Sequence, residues 1–284
     1  MKKIIVLLAM MIANFAAEAQ VRTPQASPKS TTHQTVGLTE VELDYSRPSA
    51  KGRTVFGDLV PFGKLWRAGA NQNSMVSFSE DVVITGKTLK KGKYALFITP
   101  KADSWDIMFY TDTDNWGLPE NWDENKVAVR ATVKPVALAT NVETFTIGNN
   151  NITNDNATLD FAWEKTCASV KFDVPTQATA LASIEKALAG PTAADYYAAA
   201  QYFYQSNGDT TKALDYINKS FAMAKPGAEL PFWQLRMKSL IQAKLGDKKG
   251  AVETAKLSLI GAEKAKNADY VKMNNDSIKE WSKK

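Results

Sequence analysis

The hydrophobic residues of this 284-residue chain change their period once, near residue 175, and that change bounds what it can fold into. Before it, apolar residues alternate in short runs, as in "LTEVELDYS" (38–46) and "KVAVRATVK" (126–134). A period of two puts one face of a strand inward and the other outward. Beyond "VPTQATA" (174–180) the apolar residues recur three and four apart, the period of a helix with one buried stripe. Two periods in separate blocks predict two domains. The expected fold is an all-β antiparallel sandwich or barrel over residues 36–175, followed by an all-α, tetratricopeptide-like domain over residues 176–284.

Within the first block, "SMVSFS", "DVVITG", "GKYALFIT", "SWDIMFY", "ETFTIG", "NATLDFAWE" and "CASVKFDV" are rich in Val, Ile, Thr and aromatics and lie between turn clusters. That is the pattern of antiparallel strands. "GNNNITNDN" (148–156) reads as a polar hairpin connection, and "DFAWEKTCASVKFDV" (160–174) as an apolar strand hairpin.

In the second block, five stretches end or begin at helix punctuation such as Gly190, Pro191, Gly208 and Gly246. A last helix is expected from Ala268 to Trp281. Gly208-Asp209 and Gly246-Asp247 each close a first helix, and Ala213 and Ala251 follow five residues after each glycine. The offset is 38 residues, close to the tetratricopeptide period of about 34. Tyr197, Tyr204, Ala213, Ile217 and Ser220 in one unit, and Leu235, Gln242, Ala251, Ala255 and Ser258 in the next, fall at tetratricopeptide-like positions. Small residues there let two helices approach closely. A generic helical bundle is the competing reading.

The first nineteen residues have a basic start, an apolar run and "AEA" before Gln20, which reads as a signal peptide cleaved between Ala19 and Gln20. The expected location is exported, periplasmic or extracellular. The apolar run is short for a membrane span and no other segment resembles one. Residues 20–35, rich in Pro, Ser, Thr and Gln, are expected to form a flexible lead-in. Residues 20–177 carry 17 Lys and Arg against 18 Asp and Glu, whereas residues 178–284 carry 16 against 11. The basic excess is therefore spread along helices as a solvated face, which argues against nucleic-acid binding.

His33 is the single histidine, and it lies in the lead-in. That argues against a Ser/His/Asp triad, a Cys/His dyad and a histidine-rich metal site. Cys167 is the single cysteine, expected as a buried inert thiol. Asp112 and Asp114 match part of a calcium loop, but Trp116 holds its fifth position, so a solvated turn is the better reading. No metal or cofactor is implied.

Arginine is scarce: six residues against 29 lysines. Three of the six, Arg47, Arg53 and Arg67, fall within 21 residues. A guanidinium offers a planar fork of donors to carboxylates and phosphates, which lysine does not. Tyr45, Lys51, Trp66, Asn71 and Asn73 lie among them. Together these residues form a candidate site for a small polar or anionic ligand, a glycan included, with Trp66 as a stacking wall. The alternative is structural: arginines on irregular segments satisfy backbone carbonyls and internal carboxylates. Trp105, Trp116 and Trp122 make a second aromatic cluster, open to the same two readings. A third class, an envelope hydrolase working through carboxylates or Tyr45, stays open because carboxylate separation is a three-dimensional fact. The helical domain would dock a protein or peptide.

The run "YSRPSAKGRTVFGDLVPFGKLWRAGANQNS" (45–74) resembles the signature of the domain-of-unknown-function family 2911, exported bacterial proteins. The resemblance continues through "GKTLKKGKYALFITP", "WDIMFY", "NWG" and "FAWEKTCASVKF", covering about residues 36–174. The matching elements are Tyr45 to Pro48, Gly52-Arg53, Phe56-Gly57, Pro61, Trp66-Arg67 and Gly69 to Asn71. The resemblance implies export and a β-rich fold, and no established activity. Where the family often carries an acid after that asparagine, this chain has Gln72, which weakens an enzymatic expectation.

Overall fold

The computed structural model describes residues 23–225 and 227–283. The chain divides into two compact units, one up to Thr176 and one from Gln177.

The first unit is an antiparallel β-sandwich. Among the described residues ten strands are formed: β1 (Lys29–Val36), β2 (Thr39–Ser46), β3 (Met75–Phe78), β4 (Val82–Ile84), β5 (Lys87–Leu89), β6 (Gly92–Pro100), β7 (Trp105–Tyr110), β8 (Val127–Val133), β9 (Val136–Asn150) and β10 (Asn156–Asp173). One sheet has the order β1-β2-β3-β6-β7-β8 and the other β5-β4-β10-β9. Inward residues of both sheets meet in a single core, with Leu43, Val76, Leu96 and Ile107 from the first and Ile84, Phe145, Phe161 and Trp163 from the second. Alternation explains the placement: in β2, Thr39, Val41, Leu43 and Tyr45 point in, and the residues between them are less buried.

Strands β6 and β7 are apolar on both faces. Their second face is covered: Ala95, Phe97, Met108 and Tyr110 pack under Leu65, Trp122 and Val127. Trp122 stacks on Tyr110 at 4.5 Å and 19°. The loop 111–123 is thereby held down on the sheet.

Two expectations are corrected. The lead-in does not run to residue 35, because Lys29–Val36 forms β1, paired with β2 along its full length. Its residues are almost all polar, so no alternation marks them; the strand is an edge held by backbone hydrogen bonds. His33 accordingly sits in β1, 3.8 Å from Glu42 across the ladder. The hairpin expected at 160–174 is one 18-residue strand, β10. Register shifts between Ala162 and Thr166, with Glu164 at φ 50°, change which residues face the core. Ala157, Leu159, Phe161 and Trp163 are buried before the bulge; Ala168, Val170 and Phe172 are buried after it. One extra residue flips the parity of a strand. Cys167 follows the bulge and is buried; burial pushes its thiol pKa up.

The second unit is all-α: α1 (Thr176–Ala187), α2 (Ala193–Gln205), α3 (Thr210–Ala222), α4 (Phe232–Lys244), α5 (Lys248–Lys264) and α6 (Ala268–Trp281). The 38-residue offset holds in three dimensions. Asp209 and Asp247 cap α3 and α5 by accepting from backbone N–H groups in the first turn. Ala213 and Ala251 are both fully buried. The Ser220 hydroxyl donates to the Ala193 carbonyl and that of Ser258 to the Phe232 carbonyl, both at 2.7 Å. Half-buried Arg236 joins α4 to α6, donating to the Ser277 hydroxyl at 2.9 Å. Among the described residues, no helix is long and apolar enough to cross a membrane.

Candidate functional site

Among the described residues, strand β9 is the outer strand of its sheet, and one side of its ladder has no strand partner. Residues 45–51 cover it. The Tyr45 hydroxyl, buried at 3% exposure, donates to the Ile147 carbonyl at 3.0 Å and accepts from the Ile147 N–H at 2.9 Å. Arg47 donates through Nε to the Phe145 carbonyl at 3.0 Å and through a terminal nitrogen to the Thr146 hydroxyl at 2.6 Å. Phe145 N–H reaches the Pro48 carbonyl and Ala50 N–H the Glu143 carbonyl, both at 2.8 Å. This segment leaves one sheet and zips along the edge of the other. Tyr45 and Arg47 therefore act as cross-links between the sheets. Arg53 folds back on its own loop, donating to the Ala50 carbonyl at 2.9 Å and the Ser49 carbonyl at 2.8 Å.

The second half of the sequence motif extends the other sheet. Beyond Ala95, β6 has no β3 residue beside it, and Trp66 takes that place through a bridge to Ile98, with both backbone bonds at 2.8 Å. The chain then turns through Ala68 (φ 50°), Gly69 (φ 149°) and Asn71 (φ 60°). Gly69 is required by space as well as by backbone: an added Cβ would lie 2.7 Å from Ser74 Oγ and 2.9 Å from the Ser46 carbonyl. Asparagine tolerates the left-handed conformation of residue 71, and its amide donates to the Ser46 hydroxyl at 3.2 Å. Trp66 is part of the aromatic core edge, stacked on Trp163 at 5.9 Å and 22° and edge-on to Phe145 at 5.0 Å.

Arg67 is different from its two neighbours in sequence. Its Nε is buried and has no hydrogen-bond partner among the described residues. One terminal nitrogen lies over Gly117 (φ 97°), 3.0 Å from where a Cβ would stand. Asn73, 2% exposed, donates through its amide to the Gly117 carbonyl at 2.7 Å, and its N–H reaches the Asn115 carbonyl at 3.3 Å. Its Oδ1 is also buried and unpartnered among the described residues. Buried polar atoms are ordinarily hydrogen-bonded, so orphans on two side chains that both reach Gly117 mark an unusual place.

A cleft of about 450 Å³ opens beside Arg67. Lys51, Arg53 and Arg67 line it, together with edges of Trp66 and Trp163, Pro48 and Ser27. Among the described residues, no Asp or Glu lines it. Of the eight residues singled out from sequence, the cleft gathers Lys51, Arg53, Trp66 and Arg67. Asn73 lies behind it against the 111–123 loop, while Tyr45, Arg47 and Asn71 are committed to internal hydrogen bonds. Sequence reading missed Trp163, which comes from β10, more than ninety residues from Trp66, and no local pattern announces that meeting. Asp112 is tied to Lys126 at 2.8 Å, a hydrogen bond that holds its carboxyl below the usual range.

A search of curated proteins and a search of solved structures each returned no match. Residues 27–172 match the family model described as a protein of unknown function, DUF2911. That match takes in every strand that builds the cleft, the edge zipper and the Arg67 turn. On this match, which spans about half of its length, the chain belongs to the DUF2911 family.

Proposed function

We propose that this is an exported, non-enzymatic binding protein whose sandwich takes a small anionic ligand, acidic sugars foremost, in the cleft beside Arg67. The observation that carries the reading is the contrast among three arginines. Arg47 and Arg53 are held by backbone carbonyls, whereas the Arg67 guanidinium stands at a cleft with an unpartnered buried nitrogen. Among the described residues, three cations and no acid line a volume in the usual range for small-ligand pockets, roughly 300–1,000 Å³. Anions gain from such a field, most of all where a fork of donors can meet a carboxylate or sulfate. Indole edges add apolar surface to one wall. The hydrolase alternative finds no carboxylate pair in this lining, and the Tyr45 phenol is held on both sides by Ile147. Export rests on residues 1–19, which lie outside the described residues.

The test is titration calorimetry of wild type and Arg67→Gln with glucuronate, galacturonate, N-acetylneuraminate, sulfate and phosphate. Binding of at least one probe, weakened tenfold or more by the substitution, is expected. Equal affinities in the two proteins would overturn the reading.

The helical unit supports a second reading, a tetratricopeptide-like surface that docks a protein or peptide. Its motivation is a hollow of about 350 Å³ between α4 and α5, lined by Leu230, Leu235, Leu257 and Ile260. Leu257 and Ile260 are 56% and 62% exposed. Leu257→Lys with Ile260→Lys should abolish capture of any peptide selected from a random peptide library against wild type; retained capture would remove the surface from consideration.

A further inference from the structure

We infer that Trp116 and the hollow beside it form a second binding site, separate from the anion cleft, for a neutral saccharide. The three tryptophans between residues 105 and 122 have three different fates. Trp105 is in the core, and Trp122 is packed on Tyr110 and Phe97. Trp116 is 72% exposed, the most open large apolar residue among those described. An indole left in water is unfavourable, and packing alone would have put it where Trp122 is.

The loop that carries Trp116 is not loose. Immediately on either side of the tryptophan, the carbonyls of Asn115 and Gly117 both accept from Asn73, at 3.3 and 2.7 Å. Asn73 is buried in the motif turn, so the indole is displayed from a fixed base. Upstream, Asp112 pairs with Lys126, and Thr111 N–H reaches the Lys126 carbonyl at 2.9 Å. Downstream, Trp122 anchors the other end. A rigid display lowers the ordering cost of binding.

Beside the indole is a hollow of about 440 Å³. Its polar lining comes from Gln72, Lys93, Thr113, Asp114 and Asn115. Two amides and a hydroxyl each offer both donors and acceptors, with one ammonium and one carboxylate completing the set. The charges cancel, so no net field selects an ion. Sugar hydroxyls donate and accept at once, and the C–H face of a pyranose presents positive hydrogens to the negative face of an indole. A neutral pyranose fits both halves of this lining. Gln72, next to Asn71 of the motif turn, belongs to this hollow.

The experiment is fluorescence titration of wild type, Trp116→Ala, Gln72→Ala and Arg67→Gln with cellohexaose, xylohexaose, mannohexaose and chitohexaose. Trp116 is exposed, so its alanine variant should melt as wild type does. At least one oligosaccharide is expected to bind wild type and Arg67→Gln alike, to lose tenfold or more on Trp116→Ala and to weaken on Gln72→Ala. Failure of all four sugars at millimolar concentration would overturn the inference. So would equal binding by Trp116→Ala, or loss on Arg67→Gln alone, which would assign the sugar to the cleft.

Discussion

Tyr45→Phe removes one oxygen atom and leaves the ring, which packs edge-on against Phe145 at 6.0 Å. The oxygen serves two backbone groups at once, the N–H and the carbonyl of Ile147. Ile147 is buried, and among the described residues β9 has no further strand on that side. Both groups are therefore orphaned. A buried backbone group left without a partner costs about 1–3 kcal/mol, which bounds the effect at roughly 2–6. Water entering at a sheet edge relieves part of this, so about 3 kcal/mol is expected. For a unit of this size about 1 kcal/mol moves Tm by roughly 2–4 °C, giving about 6–12 °C. Five of the seven tryptophans precede residue 176, so urea or thermal unfolding followed by tryptophan fluorescence reports this unit. Tyr94→Phe is the control, because its hydroxyl serves a single acceptor, the Lys90 carbonyl at 2.7 Å near the surface. A Tyr45→Phe loss below about 1 kcal/mol, or no larger than the control, would refute the zipper as a structural device.

Other consequences are equally direct. Gly69→Ala should destabilise the sandwich by about 2–4 kcal/mol in the same assay, from a backbone at φ 149° and a Cβ driven against Ser74 and Ser46. Asp247→Ala removes the N-cap of α5 and should cost about 1 kcal/mol, read from helical circular dichroism during unfolding. Burial raises the Cys167 pKa, so less thiolate is present at a given pH than in a free cysteine. Alkylation by iodoacetamide at pH 8 should accordingly be slower than for unfolded protein, and equal rates would contradict its burial.

The two-period pattern made the sandwich and the helical unit legible, because a buried face repeats at the spacing of its own element. What escaped was backbone-driven. β1 has polar side chains on both faces and is held by pairing with β2, so "KSTTHQTV" carries no alternation to read. In β10 the alternation is present but changes parity at Glu164, and two half-strands were the natural reading of a bulge. The arginines show the same limit at the site. Arg47, Arg53 and Arg67 are equivalent as letters. Only the fold brings the open edge of β9 to Arg47, the Ser49–Ala50 carbonyls to Arg53 and the bare face of Gly117 to Arg67. Gly69 and Ala70 were readable as a turn between Arg67 and Asn71, yet the buried position of Asn73 after that turn was not.

The central claim is that these arginines divide, two holding the sandwich and one serving a ligand. Arg47→Gln and Arg67→Gln, each measured for unfolding free energy and for binding of the same acidic sugars, test it directly. Arg47→Gln should lose about 1–3 kcal/mol and keep wild-type affinity. Arg67→Gln should stay within about 1 kcal/mol of wild type, since Arg67 Nε has no hydrogen bond to the described residues to lose, and should lose binding. If Arg67→Gln instead unfolds the sandwich as readily as Arg47→Gln and leaves affinity unchanged, all three arginines are structural and the division is wrong.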